Sequence, residues 1–187
     1  MELKNKTIFF LGSSVTYGQA SNGVSFADII KEECGINMIK EAVSGTTIAD
    51  ISEKSYVSRL KRAEIPEKVD LFVCQLSTND ATKSADKTET EKGIRFIIEY
   101  AKKYFKCPIV FYTSTYFDNE NYSELVSKLE SMQAEYGFKI LNLYKDEEMT
   151  AVSKEDYAKF MADRLHPTIV GYREWWTPKF IEFFKSL

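Results

Sequence analysis

With 187 residues, 44% hydrophobic and 28% charged, the chain is long enough for one domain with a substantial core and short for two. Its formal net charge of -3 offers no electrostatic basis for binding nucleic acid or an anionic membrane surface. No stretch approaches the roughly 20 apolar residues of a spanning helix, and the apolar run after Met1–Lys6 is too short for a signal-peptide core, so a cytoplasmic location is the default expectation.

The first apolar run, Thr7 to Leu11, breaks abruptly into Gly12-Ser13-Ser14-Val15-Thr16-Tyr17-Gly18, the pattern of a buried strand ending in a tight turn that presents a hydroxyl. Helical spacing of Phe26, Ile29 and Ile30 follows, then a second strand at Asn37 to Val43 that leads into Ser44-Gly45-Thr46-Thr47. A third strand, Val69 to Leu76, opens into Ser77-Thr78-Asn79-Asp80. The polar stretch Lys83 to Lys92 reads as an exposed loop leading into a helix marked by Ile94, Ile97, Ile98, Ala101 and Tyr104. A fourth strand, Pro108 to Thr113, ends in Ser114-Thr115-Tyr116, and a fifth covers Phe138 to Leu143.

Near the C-terminus, His166-Pro167 marks an expected helix start, because proline suits the first helical position. Tyr172, Trp175, Trp176, Ile181 and Phe184 give that segment its apolar surface, and Thr177-Pro178 should kink or split it. Cys34, Cys74 and Cys107 are odd in number and lack a CxxC pattern, so buried reduced thiols are expected.

This βα alternation predicts an α/β fold spanning 1–187 as a single domain: a three-layer α/β/α sandwich on a five-stranded parallel sheet, flavodoxin-like in build. Ligands of such sheets bind at the carboxyl ends of the strands, and there the four turns supply hydroxyls, an amide and a glycine with almost no fixed charge. His166 is the only histidine, too few for a multi-histidine metal centre. A histidine three residues from Asp163 is instead what a hydroxyl nucleophile needs as its base. Ser14 is then the candidate nucleophile, His166 the base and Asp163 its orienter. The backbone N–H groups of Ser14 and Gly45 and the side-chain amide of Asn79 are the candidate oxyanion donors.

These blocks resemble the SGNH (GDSL-type) esterase and lipase superfamily. Gly12-Ser13-Ser14-Val15-Thr16 is similar to its GDS block, Ser44-Gly45 to its glycine block, Asn79-Asp80 to its GxND block, and Asp163-Arg164-Leu165-His166-Pro167 to its DxxHP block, in the family's order. Ser13 stands where the family has aspartate, and Ser77 where it has glycine. The resemblance implies a serine esterase acting through an acyl-enzyme on a small-molecule ester, with carbohydrate O-acetyl esters in view, short-chain thioesters and lysophospholipids still open, and no cofactor or metal. The strand-end loops, rich in serine and threonine and poor in leucine, isoleucine and methionine, favour a short acyl group.

Other readings of the same residues stay open. Gly45 could supply a turn with positive φ, Asp163 and His166 a helix-start pair, and Asn79 and Asp80 helix caps, which for Asp80 is the preferred reading. Tyr17, Tyr112, Tyr116 and Phe117 could form a stacking surface, and Ser13, Tyr17 and Tyr116 are candidate substrate contacts. A flavodoxin-like protein cradling a phosphate on Gly12–Gly18 is a competing function, as is acyl transfer to an alcohol by the same triad.

Overall fold

The computed structural model describes residues 1–64 and 66–187. Five parallel strands, β1 (Thr7–Gly12), β2 (Asn37–Ala42), β3 (Leu71–Gln75), β4 (Ile109–Tyr112) and β5 (Lys139–Leu141), form one sheet in the order β2-β1-β3-β4-β5. The helices are α1 (Ser14–Tyr17), α2 (Phe26–Cys34), α3 (Tyr56–Arg62), α4 (Thr78–Thr82), α5 (Lys87–Tyr104), α6 (Glu120–Tyr136), α7 (Glu147–Thr150), α8 (Lys154–Phe160), α9 (Ile169–Gly171) and α10 (Thr177–Ser186).

Alternation along the strands separates two cores. Phe9, Leu11, Phe72, Cys74, Ile109 and Phe111 face one way, against buried residues of α3, α5 and α6. Ile8, Phe10, Leu71, Val73, Val110 and Tyr112 face the other, where Phe26 of α2 stacks on Phe180 of α10 with ring centroids 3.9 Å apart. Covered on both faces, β1, β3 and β4 can be apolar nearly throughout, with Thr7 opening β1 and Gln75 closing β3, as parallel strands usually are. The edge strand β2 is only half-buried and carries Lys40 and Glu41.

Three local expectations need correction. Asp86 accepts hydrogen bonds from the N–H groups of Thr88 and Glu89, so α5 starts at Lys87 and only residues 83–86 of the expected loop are non-helical. His166-Pro167 is not a helix start, because Pro167 pairs with Met161 in an antiparallel bridge and α9 begins two residues later, capped by Thr168. The expected break near Pro178 is absorbed by a π-helical turn over Tyr172–Trp176, after which proline sits in the first turn of α10, where its missing N–H costs little. Of the cysteines only Cys74 is fully buried; all three are free thiols.

Candidate active site

The turn that ends β1 is built on a close approach. A Cβ added to Gly12 would lie 1.7 Å from Thr16 Oγ1 and 2.9 Å from Gln75 Oε1, so only glycine lets α1 fold back over the strand. Gln75, the last residue of β3, accepts at that one carbonyl oxygen from the Ser13 N–H (2.9 Å), the Ser13 hydroxyl (3.3 Å) and the Thr16 hydroxyl (2.9 Å). Tyr112 hydrogen-bonds Thr16 at 2.6 Å, and Tyr172 donates to the Val15 carbonyl at 2.7 Å. These supports leave Ser14 5% exposed, its amide heading α1, where helix geometry provides no intrahelical acceptor.

Ser14 Oγ lies 2.9 Å from His166 Nε2, and His166 Nδ1 lies 2.8 Å from Asp163 Oδ2. A carboxylate only accepts, so beside a neutral ring Nδ1 carries the proton and Nε2 turns its lone pair toward Ser14. The other oxygen of Asp163 accepts the N–H groups of Leu165 (2.7 Å) and His166 (2.8 Å), and the His166 carbonyl accepts from Ala162 at 2.9 Å. Burial opposes ionisation of Asp163, but hydrogen bonds from the His166 ring and from the two backbone N–H groups outweigh it and hold the carboxyl below its usual range.

After β2 the chain turns through Gly45 at φ 77°, a left-handed conformation that favours glycine. The next residue, Thr46, accepts at its carbonyl from Asn79 Nδ2 (3.0 Å) and from the Ser77 hydroxyl (3.3 Å), so the turns after β2 and β3 are in direct contact. Ser77 also caps α4 by accepting from the N–H groups of Asn79 and Asp80. Asp80 therefore is not the cap of its own helix. Its buried carboxylate instead accepts from Ile48 N (2.8 Å), Ala49 N (2.9 Å) and Thr90 Oγ1 (2.9 Å), fixing the loop after β2. Lys83 donates to the Gly45 carbonyl at 2.7 Å.

The candidate contacts scatter. Ser13 is fully buried, its hydroxyl directed at Gln75, which leaves it no surface to offer a substrate. Tyr112 and Phe117 are likewise core residues. Tyr17 is 45% exposed with the Lys40 amine over its ring, and Tyr116 is 50% exposed and lines a cleft of about 420 Å³ with Met149, Tyr157 and Trp175. Of the amides the phosphate-cradle reading would use, three are engaged within the protein: Ser13 N on Gln75, Tyr17 N on the Ser13 carbonyl and Gly18 N on the Ser14 carbonyl.

Sequence reasoning passed over Gln75 and Arg59. Each had a signal: an amide closing an otherwise apolar strand, and an arginine on the same helical face as Tyr56.

A model of the GDSL-like Lipase/Acylhydrolase family matches residues 10–174, which takes in all four turns and the His166 loop. The chain belongs to that family. No curated protein matches it. Among solved structures it is similar to a protein from Lactobacillus plantarum, at 22% identity over 98% of each chain with a TM-score of 0.83. It is also similar to AlinE4, an SGNH-hydrolase family esterase, at 21% identity over 98% of this chain and 97% of that one, TM-score 0.64. A family two carbohydrate esterase from Clostridium thermocellum, in complex with cellohexaose, matches at 15% identity over 100% of this chain and 67% of its own, TM-score 0.71. At these identities the neighbours establish the fold: an SGNH-type α/β sandwich. Among the described residues no helix is long and apolar enough to cross a membrane.

Proposed function

We propose that the chain is a serine esterase that hydrolyses short-chain esters, acetyl esters foremost, through an acyl-enzyme on Ser14. The observation that carries this reading is the hydrogen-bonded series Ser14 Oγ, His166 Nε2, His166 Nδ1 and Asp163 Oδ2 on family-matched turns. In it, His166 takes the Ser14 proton as Oγ attacks the ester carbonyl carbon. The resulting oxyanion is met by the N–H groups of Ser14 and Gly45 and by the Asn79 amide, whose second hydrogen is not engaged by Thr46. His166 then returns the proton to the alcohol oxygen as the C–O bond breaks. Water, activated by the same imidazole, releases the acid and regenerates Ser14.

The acyl group should be short. The turns around Ser14 are built from serine and threonine, among them Thr46, Thr47, Ser77, Ser114 and Thr115, and provide little apolar wall for a long chain worth about 0.8 kcal/mol per buried methylene. For the alcohol, a sugar is the leading candidate, supported by the fold shared with the carbohydrate esterase and by the aromatic cleft beside Tyr116. A series of aryl esters, measured alongside acetylated sugars, tests both points. The expected result is a kcat/KM maximum at acetyl to butyryl and a steep decline beyond about six carbons. Preference for decanoyl or longer esters would refute the short-acyl reading.

A further inference from the structure

We infer that Arg59 is a positioning residue for hydrolysis, holding the Ser14 turn and the Gly45 turn in register so that their oxyanion donors converge; the inference rests on the esterase reading above. Arg59 lies on α3 beside the buried Tyr56, Val57 and Leu60, and is itself only 6% exposed. Its planar fork is used on every nitrogen. Nε donates to the Lys54 carbonyl (3.0 Å), one terminal nitrogen to the Glu41 carbonyl (2.8 Å) and carboxylate (3.0 Å), and the other to the Gly12 carbonyl (2.8 Å) and Thr46 Oγ1 (3.3 Å).

The last pair matters most. Gly12 lies two residues before Ser14, and Thr46 follows Gly45 directly, so one terminal nitrogen fixes the distance between two donor-bearing turns. Thr46 passes the constraint on. Its hydroxyl donates to the Val43 carbonyl at 2.7 Å while receiving Arg59, and its carbonyl holds Asn79 Nδ2, which sets where the free hydrogen of that amide points.

Stability alone does not call for a cation at this place. Burying a guanidinium carries a desolvation cost that hydrocarbon of similar volume avoids, and its single carboxylate partner, Glu41, is about one-third exposed. Most of its contacts go to neutral carbonyl and hydroxyl oxygens. A rigid fork with fixed angles explains that pattern better than a generic ion pair, because a lysine cannot reach Gly12, Thr46 and Glu41 at once. The positive charge also lies beneath turns where negative charge develops during the reaction.

The test compares Arg59→Lys, Arg59→Met and Thr46→Val with wild type and with Asn79→Ala as the benchmark for a lost oxyanion donor. For each, kcat and KM on an acetyl aryl ester, affinity for a trifluoromethyl ketone that adds to the serine as a tetrahedral mimic, and Tm are measured. Asn79→Ala should lower kcat about 10²-fold with little change in KM. Arg59→Lys and Arg59→Met should lower kcat by at least about tenfold at similar KM, and weaken the ketone by a matching factor. Thr46→Val should move both quantities the same way by less. If Arg59→Met does not fold, Arg59→Lys and Thr46→Val decide the matter. Arg59 variants with lowered Tm but wild-type kcat and ketone affinity per folded molecule would make Arg59 merely structural and overturn the inference. Wild-type protein that neither turns over esters nor binds the ketone would instead overturn the esterase reading, and this inference with it.

Discussion

The turn that carries Ser14 is supported by residues far away in the chain, whereas the loop that carries His166 is held by its own neighbours. Gln75 reaches Ser13 across 62 positions, Tyr112 reaches Thr16 across 96, Tyr172 reaches Val15 across 157, and Arg59 reaches Gly12 across 47. In the other region, Asp163 finds its backbone and ring partners within three residues, and the loop closes through Ala162 and the Met161–Pro167 bridge. The Ser14 turn is thus an outcome of global packing, and the His166 loop an outcome of local chain geometry. Damage to the core should reach Ser14 first.

The largest effect separates chemistry from both kinds of support. Ser14→Ala should lower kcat on the order of 10³-fold or more while leaving Tm near wild type, because the hydroxyl is spent on His166 and not on the core. A variant that still turns over esters at a substantial rate would remove Ser14 from the nucleophile role.

Next in size is a pair that contrasts the two regions directly. Asp163→Ala should cost on the order of 10²-fold in kcat with a small change in Tm, since only a local, largely exposed loop loses its acceptor. Gln75→Leu should cost less activity, about tenfold, but destabilise the fold by roughly 1–3 kcal/mol by leaving the buried Ser13 N–H without its acceptor. Thermal melts and kinetics on the same preparations check both. Equal Tm losses in the two variants would erase the distinction between local and distant support.

The same contrast explains what could be read from the sequence. Parallel strands covered on both faces leave near-continuous apolar runs, so β1, β3 and β4 were legible to within two residues at each end. The Asp163-to-His166 spacing was legible because its geometry is written within four consecutive residues. Gln75, Arg59 and Thr46 were not. Their roles exist only after the sheet order brings β1, β2 and β3 side by side, and no spacing in the chain encodes which carbonyl a buried arginine will meet. Asp80 shows the same limit: read locally it is a cap, yet its carboxylate serves Ile48 and Ala49, more than thirty positions earlier. The proline near His166 misled for a related reason, since its pairing with Met161 overrides its preference for a helix start.

The smallest effect is a shape and not a loss. Asp163 is held ionised below the ordinary carboxylate range by the His166 ring and two backbone N–H groups, despite opposing burial. As the pH falls through the ordinary carboxylate range Asp163 therefore stays charged and keeps its hydrogen bond to the His166 ring. The acid limb of kcat/KM should carry no added step from this carboxyl in that range. A step there that disappears in Asp163→Asn would mean that the carboxyl is not held down.

The most direct test of the central claim is covalent capture of the nucleophile. Treating the folded wild-type protein with a fluorophosphonate and mapping the adduct by peptide mass spectrometry should find a single modification on Ser14, with labelling abolished in Ser14→Ala and strongly slowed in His166→Ala. A label on any other residue, or undiminished labelling of Ser14→Ala, would contradict the account.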